Sequence, residues 1–289
     1  MRIQSLLILG CGYVGERLGK ACIADGMQVF GTTRSEERAE ALKAAGIEPI
    51  LGDPDAIPAE ILNRTEAIVD SIPLTRDADG THASQLAWLP SLAWKLTGLR
   101  WAGYLSTTGV YGDADGAWVG ESWPCKPASA RGIERLKAEA AWLESGLPAE
   151  VFRIAGIYGP GRNIIPKLKV GGYRAVRWQP PHYAARIHVD DIVAAIMAAM
   201  EKPRPGRIVN LADDEPLPHE AYVTELARLV DAPAPIILSA EEGERQLSPA
   251  ALAFFRDNKR VSNRLLHAEL MPELKYPSFR DAVDSLAGD

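Results

Sequence analysis

The sequence predicts an α/β protein, a Rossmann-type doubly wound parallel sheet with a smaller C-terminal α/β lobe. Three observations predict it. Short apolar runs alternate with helix-length stretches through most of the 289 residues. The first run, Leu6-Leu7-Ile8-Leu9, is apolar without a break, as a strand buried on both faces requires. It runs straight into Gly10-Cys11-Gly12-Tyr13-Val14-Gly15, and a helical pattern follows.

Taken in order, strands are expected over residues 5–9, 27–31, 48–51, 67–72, 103–106, 151–154 and 208–211. Helices are expected over 14–25, 35–45, 85–96, 132–143 and 190–200. After Gly159 the alternation loosens, with loop-like Gly171-Gly172-Tyr173 and Gln179-Pro180-Pro181. Further helices are expected near 220–229 and 248–255. This places residues 1–160, joined by 186–212, in a dinucleotide-binding domain. Residues 161–185 and 213–289 then form the substrate-side lobe.

Composition narrows the class. Hydrophobic residues make up 47% and charged residues 24%, ordinary for a globular protein. The net charge is −6 and no Lys/Arg run is present, which argues against a nucleic-acid partner. No apolar run approaches the roughly 18 residues of a membrane span. The basic start followed by a short apolar run reads as a first strand rather than a signal peptide. Cys11, Cys22 and Cys125 have no metal-ligand spacing, so no metal site is expected. Three cysteines without a framework fit a reducing, cytoplasmic compartment.

The glycine loop carries the strongest chemical signal. Gly10 permits a tight turn, Gly12 removes the side chain where a pyrophosphate approaches the backbone, and Gly15 lets helix and strand pack closely. The helix start offers unpaired N–H groups to phosphate. Cys11, Tyr13 and Val14 complete the loop.

The end of the second strand, Gly31-Thr32-Thr33-Arg34-Ser35, lacks the carboxylate that accepts from an NAD ribose. Arg34 can instead pair with the 2′-phosphate of NADP, with Thr33 and Ser35 adding hydrogen bonds. NADP(H) is the expected cofactor. NAD(H) is the alternative if Arg34 is only a solvated surface residue. Asp53 meets either the adenine edge or a turn. Ser71-Ile72-Pro73 ends the fourth strand, where the cofactor crosses the sheet.

Further motifs follow in order: Ser106-Thr107-Thr108-Gly109-Val110-Tyr111-Gly112, Arg153-Ile154-Ala155-Gly156-Ile157-Tyr158-Gly159-Pro160-Gly161, Arg186-Ile187-His188-Val189-Asp190-Asp191, and Asn210-Leu211-Ala212-Asp213-Asp214-Glu215-Pro216. Together with the loop, they make the chain resemble the extended short-chain dehydrogenase/reductases, the NAD-dependent epimerase/dehydratase family. The fingerprint here is GxGxxG rather than that family's usual GxxGxxG, which points to atypical members.

The resemblance implies a catalytic Thr107 at the end of the fifth strand, partnered by Tyr-x-x-x-Lys on the next helix. That pair is missing. Pro127, Gly132 and Glu139 fix the register, which puts Arg131 at the Tyr position and Arg135 at the Lys position. Arg135 still has donors for ribose hydroxyls. Arg131 cannot act as a base, because a guanidinium stays protonated. Lys137 lies two residues along the helix and faces elsewhere.

Tyr111 remains a catalytic candidate, set against packing near the cofactor. Tyr158, Arg153, Arg162 and Arg186 gather by motif on the substrate side, either to clamp an anionic ligand or to pair within the fold. The partner is then a small molecule, anionic or nucleotide-linked, and the chain a monomer or homodimer. Two functions stay open: an NADP(H)-dependent oxidoreductase or epimerase-like enzyme with non-standard acid/base residues, and a catalytically silent NADP(H)-binding sensor or interaction module.

Overall fold

The computed structural model describes residues 2–78, 80–249, 252, 255 and 257–286. Strands β1 (Ser5–Leu9), β2 (Gln28–Thr33), β3 (Glu48–Leu51), β4 (Ala67–Asp70), β5 (Trp101–Thr107) and β6 (Ala149–Ile154) are followed by β7 (Gly156–Tyr158), β8 (Arg186–His188) and β9 (Ile208–Leu211). Seven of them form one parallel sheet in the order β9-β6-β5-β4-β1-β2-β3. The helices used below are α1 (Tyr13–Ala24), α2 (Glu36–Ala44), α3 (Gln85–Lys95), α4 (Ala130–Glu144), α5 (Val189–Glu201) and α6 (His219–Leu229).

The chain divides into two compact units: Met1–Val110, Ser129–Arg153 and Ile192–Val209 in one, and Tyr111–Ala128, Ile154–Asp191 and Asn210–Asp289 in the other. The second unit thus begins at Tyr111, well before residue 160. Hydrogen bonds within that unit account for this: Tyr111 Oη donates to Asn210, and Lys259 Nζ donates to the Gly112 carbonyl.

In the first unit, Leu6, Leu7, Ile8 and Leu9 are all fully buried, because helices cover both faces of the strand they form. A cluster of Trp88, Tyr104 and Trp142 packs against the sheet, with Trp142 6.2 Å from Trp88 and 6.5 Å from Tyr104 between ring centroids. The strand order reverses between β1 and β4, which makes their carboxyl ends the crevice where doubly wound sheets take ligands.

The observed strands and helices of this unit fall close to the expected ones. Strand β4 is the informative exception, since it stops at Asp70 rather than residue 72. The Asp70 carboxylate accepts from the Ile72 backbone N–H at 2.9 Å, which turns the chain out of the sheet.

In the second unit β7 and β8 pair in parallel, aligning Gly156 with Arg186 and Tyr158 with His188. Its core gathers Tyr158, Tyr222, Leu226 and Phe279. These short strands had no clear period in the sequence. The helix expected over 248–255 falls largely outside the described residues.

Candidate dinucleotide and substrate-side residues

The loop Gly10–Gly15 joins β1 to α1, and each glycine meets different surroundings. Gly10 has φ +71°, and a Cβ there would stand 2.9 Å from Ile72 Cγ1. Gly15 lies against the strand, where a Cβ would come within 2.9 Å of Ile8 Cγ2. A Cβ at Gly12 would meet nothing nearer than the Gly10 carbonyl at 3.9 Å, so open space stands over the helix start. Gly12 is the N-cap of α1, and no side chain caps it. This cradle fits a pyrophosphate: open space above the Gly12 backbone and the positive end of a twelve-residue helix that no side chain caps.

The loop is held from β2. Gly10 N–H donates to Thr32 Oγ1 at 2.8 Å, and Cys11 N–H donates to the Thr32 carbonyl at 2.9 Å. Burial pushes the Cys11 thiol up to about 12, so it acts as a small apolar side chain. Tyr13 stacks under Arg17, whose guanidinium carbon is 3.9 Å from the ring centroid, while Val14 is buried.

Arg34 is exposed just past the end of β2. Thr33 Oγ1 accepts from Ser35 N–H, and Ser35 Oγ caps α2 by accepting from Arg38 N–H at 3.2 Å. Arg38 was missed from the sequence. Its guanidinium reaches across to the carbonyls of Cys11 and Gly12 at 3.4 Å and pairs with Glu16 at 2.7 Å. The signal lay in the helix cap: Ser35 starts α2, so the side chain one turn on turns back toward the loop. Asp53 is exposed and precedes the short turn Pro54–Ala56, with no side-chain capping bond.

At the end of β4, Asp70 is fully buried. Its second oxygen accepts from Trp142 Nε1 at 2.9 Å, and burial pushes its carboxyl up to about 6. Ser71 N–H donates to the Leu9 carbonyl at 2.9 Å, which sets Ser71-Ile72-Pro73 beside Gly10.

Arg135 is buried below this segment. Its Nη1 donates to Tyr104 Oη at 2.9 Å, to the Leu105 carbonyl at 3.3 Å and to the Ile72 carbonyl at 3.4 Å. Arg131 is exposed on the first turn of α4, and Lys137 pairs with Glu134 at 2.6 Å. Thr107 ends β5 half-buried, its Oγ1 accepting from Gly109 N–H at 3.2 Å.

The other candidates separate. Tyr111 is fully buried, its hydroxyl donating to Asn210 Oδ1 at 2.6 Å. Arg153 is buried and forks onto Glu139, with Nη2 2.7 Å from Oε2. Ser106 Oγ donates to the same carboxylate. Arg162 is exposed after β7. Tyr158 and Arg186, by contrast, come together with Asp213, Tyr173 and Tyr222 inside the second unit. Asp213 lies in the Asn210–Pro216 motif, whereas Tyr222 carried no motif of its own and is brought there by the fold.

No family model matches the chain. A functionally unknown conserved protein from Silicibacter pomeroyi is 38% identical, with a TM-score of 0.88 and 98% of each chain covered. A candidate NAD-dependent epimerase/dehydratase from Methylobacillus flagellatus is 25% identical, with a TM-score of 0.71, 99% of this chain and 98% of that one covered. The protein YeeZ of Escherichia coli is 27% identical across 81% of this chain and 86% of its own. The chain is thus similar to proteins of the NAD-dependent epimerase/dehydratase family, of the extended short-chain dehydrogenase/reductase type. It carries Arg131 and Arg135 where the resemblance puts that family's Tyr and Lys. Among the described residues, no helix is long and apolar enough to cross a membrane, and no group of three His, Cys, Asp or Glu could hold a metal.

Proposed function

We propose that the chain is an NADP(H)-dependent oxidoreductase of this family working without the usual Tyr and Lys. The carrying observation is Arg34, an exposed guanidinium past the end of β2, with no carboxylate at that strand end to favour an unphosphorylated ribose. Arg38 supports the reading by fixing the loop carbonyls beside it. The nicotinamide ring, when bound, supplies or accepts a hydride.

Residues of the chain do the rest. Gly12 and the α1 N-terminus hold the pyrophosphate, and Arg34 holds the 2′-phosphate. Arg135 offers Nε and Nη2 to ribose hydroxyls, since its hydrogen bonds among the described residues all use Nη1. Thr107 keeps its hydroxyl hydrogen for a substrate oxygen, because its own oxygen is the acceptor from Gly109. That donor polarises a carbonyl and stabilises the negative charge that develops on it. Tyr111 is not the proton source in this reading, as its hydroxyl is committed to Asn210. We place the protein in the reducing cytoplasm, a compartment that suits three cysteines, Cys11, Cys22 and Cys125, without a disulfide framework.

Titration calorimetry with NADP⁺, NADPH, NAD⁺ and NADH tests the cofactor. Arg34→Ala should weaken NADP(H) by about 1.5–3 kcal/mol and leave NAD(H) nearly unchanged. Equal loss for both cofactors removes the 2′-phosphate role. A second reading, a silent NADP(H) sensor, is favoured by Arg131, which offers no base. NADPH turnover across a carbonyl panel separates the two. Tight binding that distinguishes redox state, with no turnover, selects the sensor.

A further inference from the structure

Among the described residues, Arg186 is a buried arginine that forms no ion pair within 4 Å, although Asp213 bears on it electrostatically. It is 8% exposed, and its one hydrogen bond within the described residues runs from Nη1 to the Ala184 carbonyl at 2.8 Å. Its guanidinium carbon stands 3.7 Å from the Tyr222 ring centroid. Stacking of this kind stabilises a cation but leaves most of its donors unused. A buried charge in that state is costly, so a fold retains it where a ligand completes it.

Other atoms of the same unit are also incomplete. Tyr158 Oη, Asp213 Oδ1 and Trp178 Nε1 are buried with no hydrogen-bond partner. Native interiors leave few such groups, and each needs a cause. Asp213 and Tyr158 are among the groups that bear electrostatically on Arg186. Further rings pack beside Tyr222. His219 lies 6.3 Å from Tyr222 and 5.9 Å from Phe255, and Trp178 lies 5.3 Å from Phe255. Tyr173, Trp178, His219 and Phe255 are half-buried, whereas Arg186, Tyr222, Tyr158 and Asp213 are buried.

We propose that this cluster recognises an aromatic carboxylate, the ring lying among the half-buried aromatics and the carboxylate pairing with Arg186 and the Tyr158 hydroxyl. Half-buried rings select a flat apolar body. One buried guanidinium matches a monoanion and offers a carboxylate two parallel hydrogen bonds. A phosphate dianion would require a second cation. None is among the groups bearing on Arg186, and burial together with Arg186 pushes His219 down to about 4, which leaves it neutral. Burial also pushes the Asp213 carboxyl well up from the usual carboxylate range, against the pull of Arg186. The proposal rests on the reading of this unit as the substrate side and names the substrate class.

The test uses the full chain without dinucleotide and trans-cinnamate as the probe. Calorimetry should show cinnamate binding about tenfold or more tighter than cinnamamide, which lacks the charge. UDP-glucose should not compete. Arg186→Met should abolish the preference for the acid while leaving Tm unchanged or raised, because it removes a buried charge that forms no ion pair. Tyr158→Phe, which deletes one oxygen, should weaken cinnamate several-fold.

Equal binding of acid and amide overturns the proposal. So does a lowered Tm in Arg186→Met with cinnamate binding unaffected in Tyr158→Phe, or UDP-glucose binding where cinnamate does not. Dinucleotide titrations are run separately. Their failure removes the proposed function and leaves this site standing; the reverse result removes only the site.

Discussion

Two buried arginines, one in each unit, differ in what surrounds them. Arg153, in the sheet unit, is 4% exposed and forks onto Glu139, which also takes the Ser106 hydroxyl. Arg186, in the second unit, is 8% exposed and has a ring, a carbonyl and nearby unpartnered oxygens. The same residue type at similar burial therefore has different uses. A guanidinium whose charge is answered within the fold holds that fold together. A guanidinium left unanswered waits for something from outside. The first belongs to stability, and the second is the one proposed above for recognition.

The sharpest way to break this contrast is Arg153→Met. Removing one partner of a buried pair strands the Glu139 charge, so unfolding in urea should show a loss of about 3–5 kcal/mol. Arg186→Met should show none. If Arg153→Met instead leaves stability intact and weakens substrate binding, the two arginines share a role and the contrast fails.

Asp70 offers a smaller test, by pH. It is fully buried and held at about 6, above the 3.8 of an unfolded carboxyl. With the folded value the higher one, its contribution to stability is fully present below pH 3.8 and is lost as pH rises through about 6. Relative to Asp70→Asn, the native chain should therefore lose up to about 3 kcal/mol between pH 4 and pH 7.5. A difference between the two proteins that does not change with pH would show that Asp70 is not the titrating group.

These cases also show where the sequence could be read. The cradle was legible because it is a backbone feature: glycine spacing after a buried strand, within a few consecutive residues. The unbroken apolar run at Leu6–Leu9 made the central sheet legible for the same reason. Arg38 was not found, although the Ser35 cap that aims it stood in the sequence. The Arg186 cluster was half legible. Arg186, Tyr158 and Asp213 carried motifs, but Tyr222, His219 and Trp178 come from separate segments that short, irregular strands bring together. Arg153 is the converse case. Its motif left it either clamping a ligand or pairing within the fold, and the partner that it pairs with, Glu139, lies on a helix fourteen residues away, where no local period announces that pair.

The smallest effect comes from the glycines, and it separates shape from contact within one loop. A Cβ at Gly15 meets Ile8 Cγ2 at 2.9 Å, so Gly15→Ala must push α1 from β1. Overpacking of this kind should cost about 1–3 kcal/mol. A Cβ at Gly12 meets nothing nearer than 3.9 Å, and its φ of −95° lies outside the left-handed region. Gly12→Ala should therefore move stability by no more than about 1 kcal/mol. Its methyl group nonetheless enters the space assigned to the pyrophosphate, so dinucleotide affinity should fall while the melting curve stays in place. If Gly12→Ala binds NADPH as the native chain does, the open space over the α1 N-terminus is not where the phosphates sit, and the cradle loses its assigned ligand even though the glycines keep their packing roles.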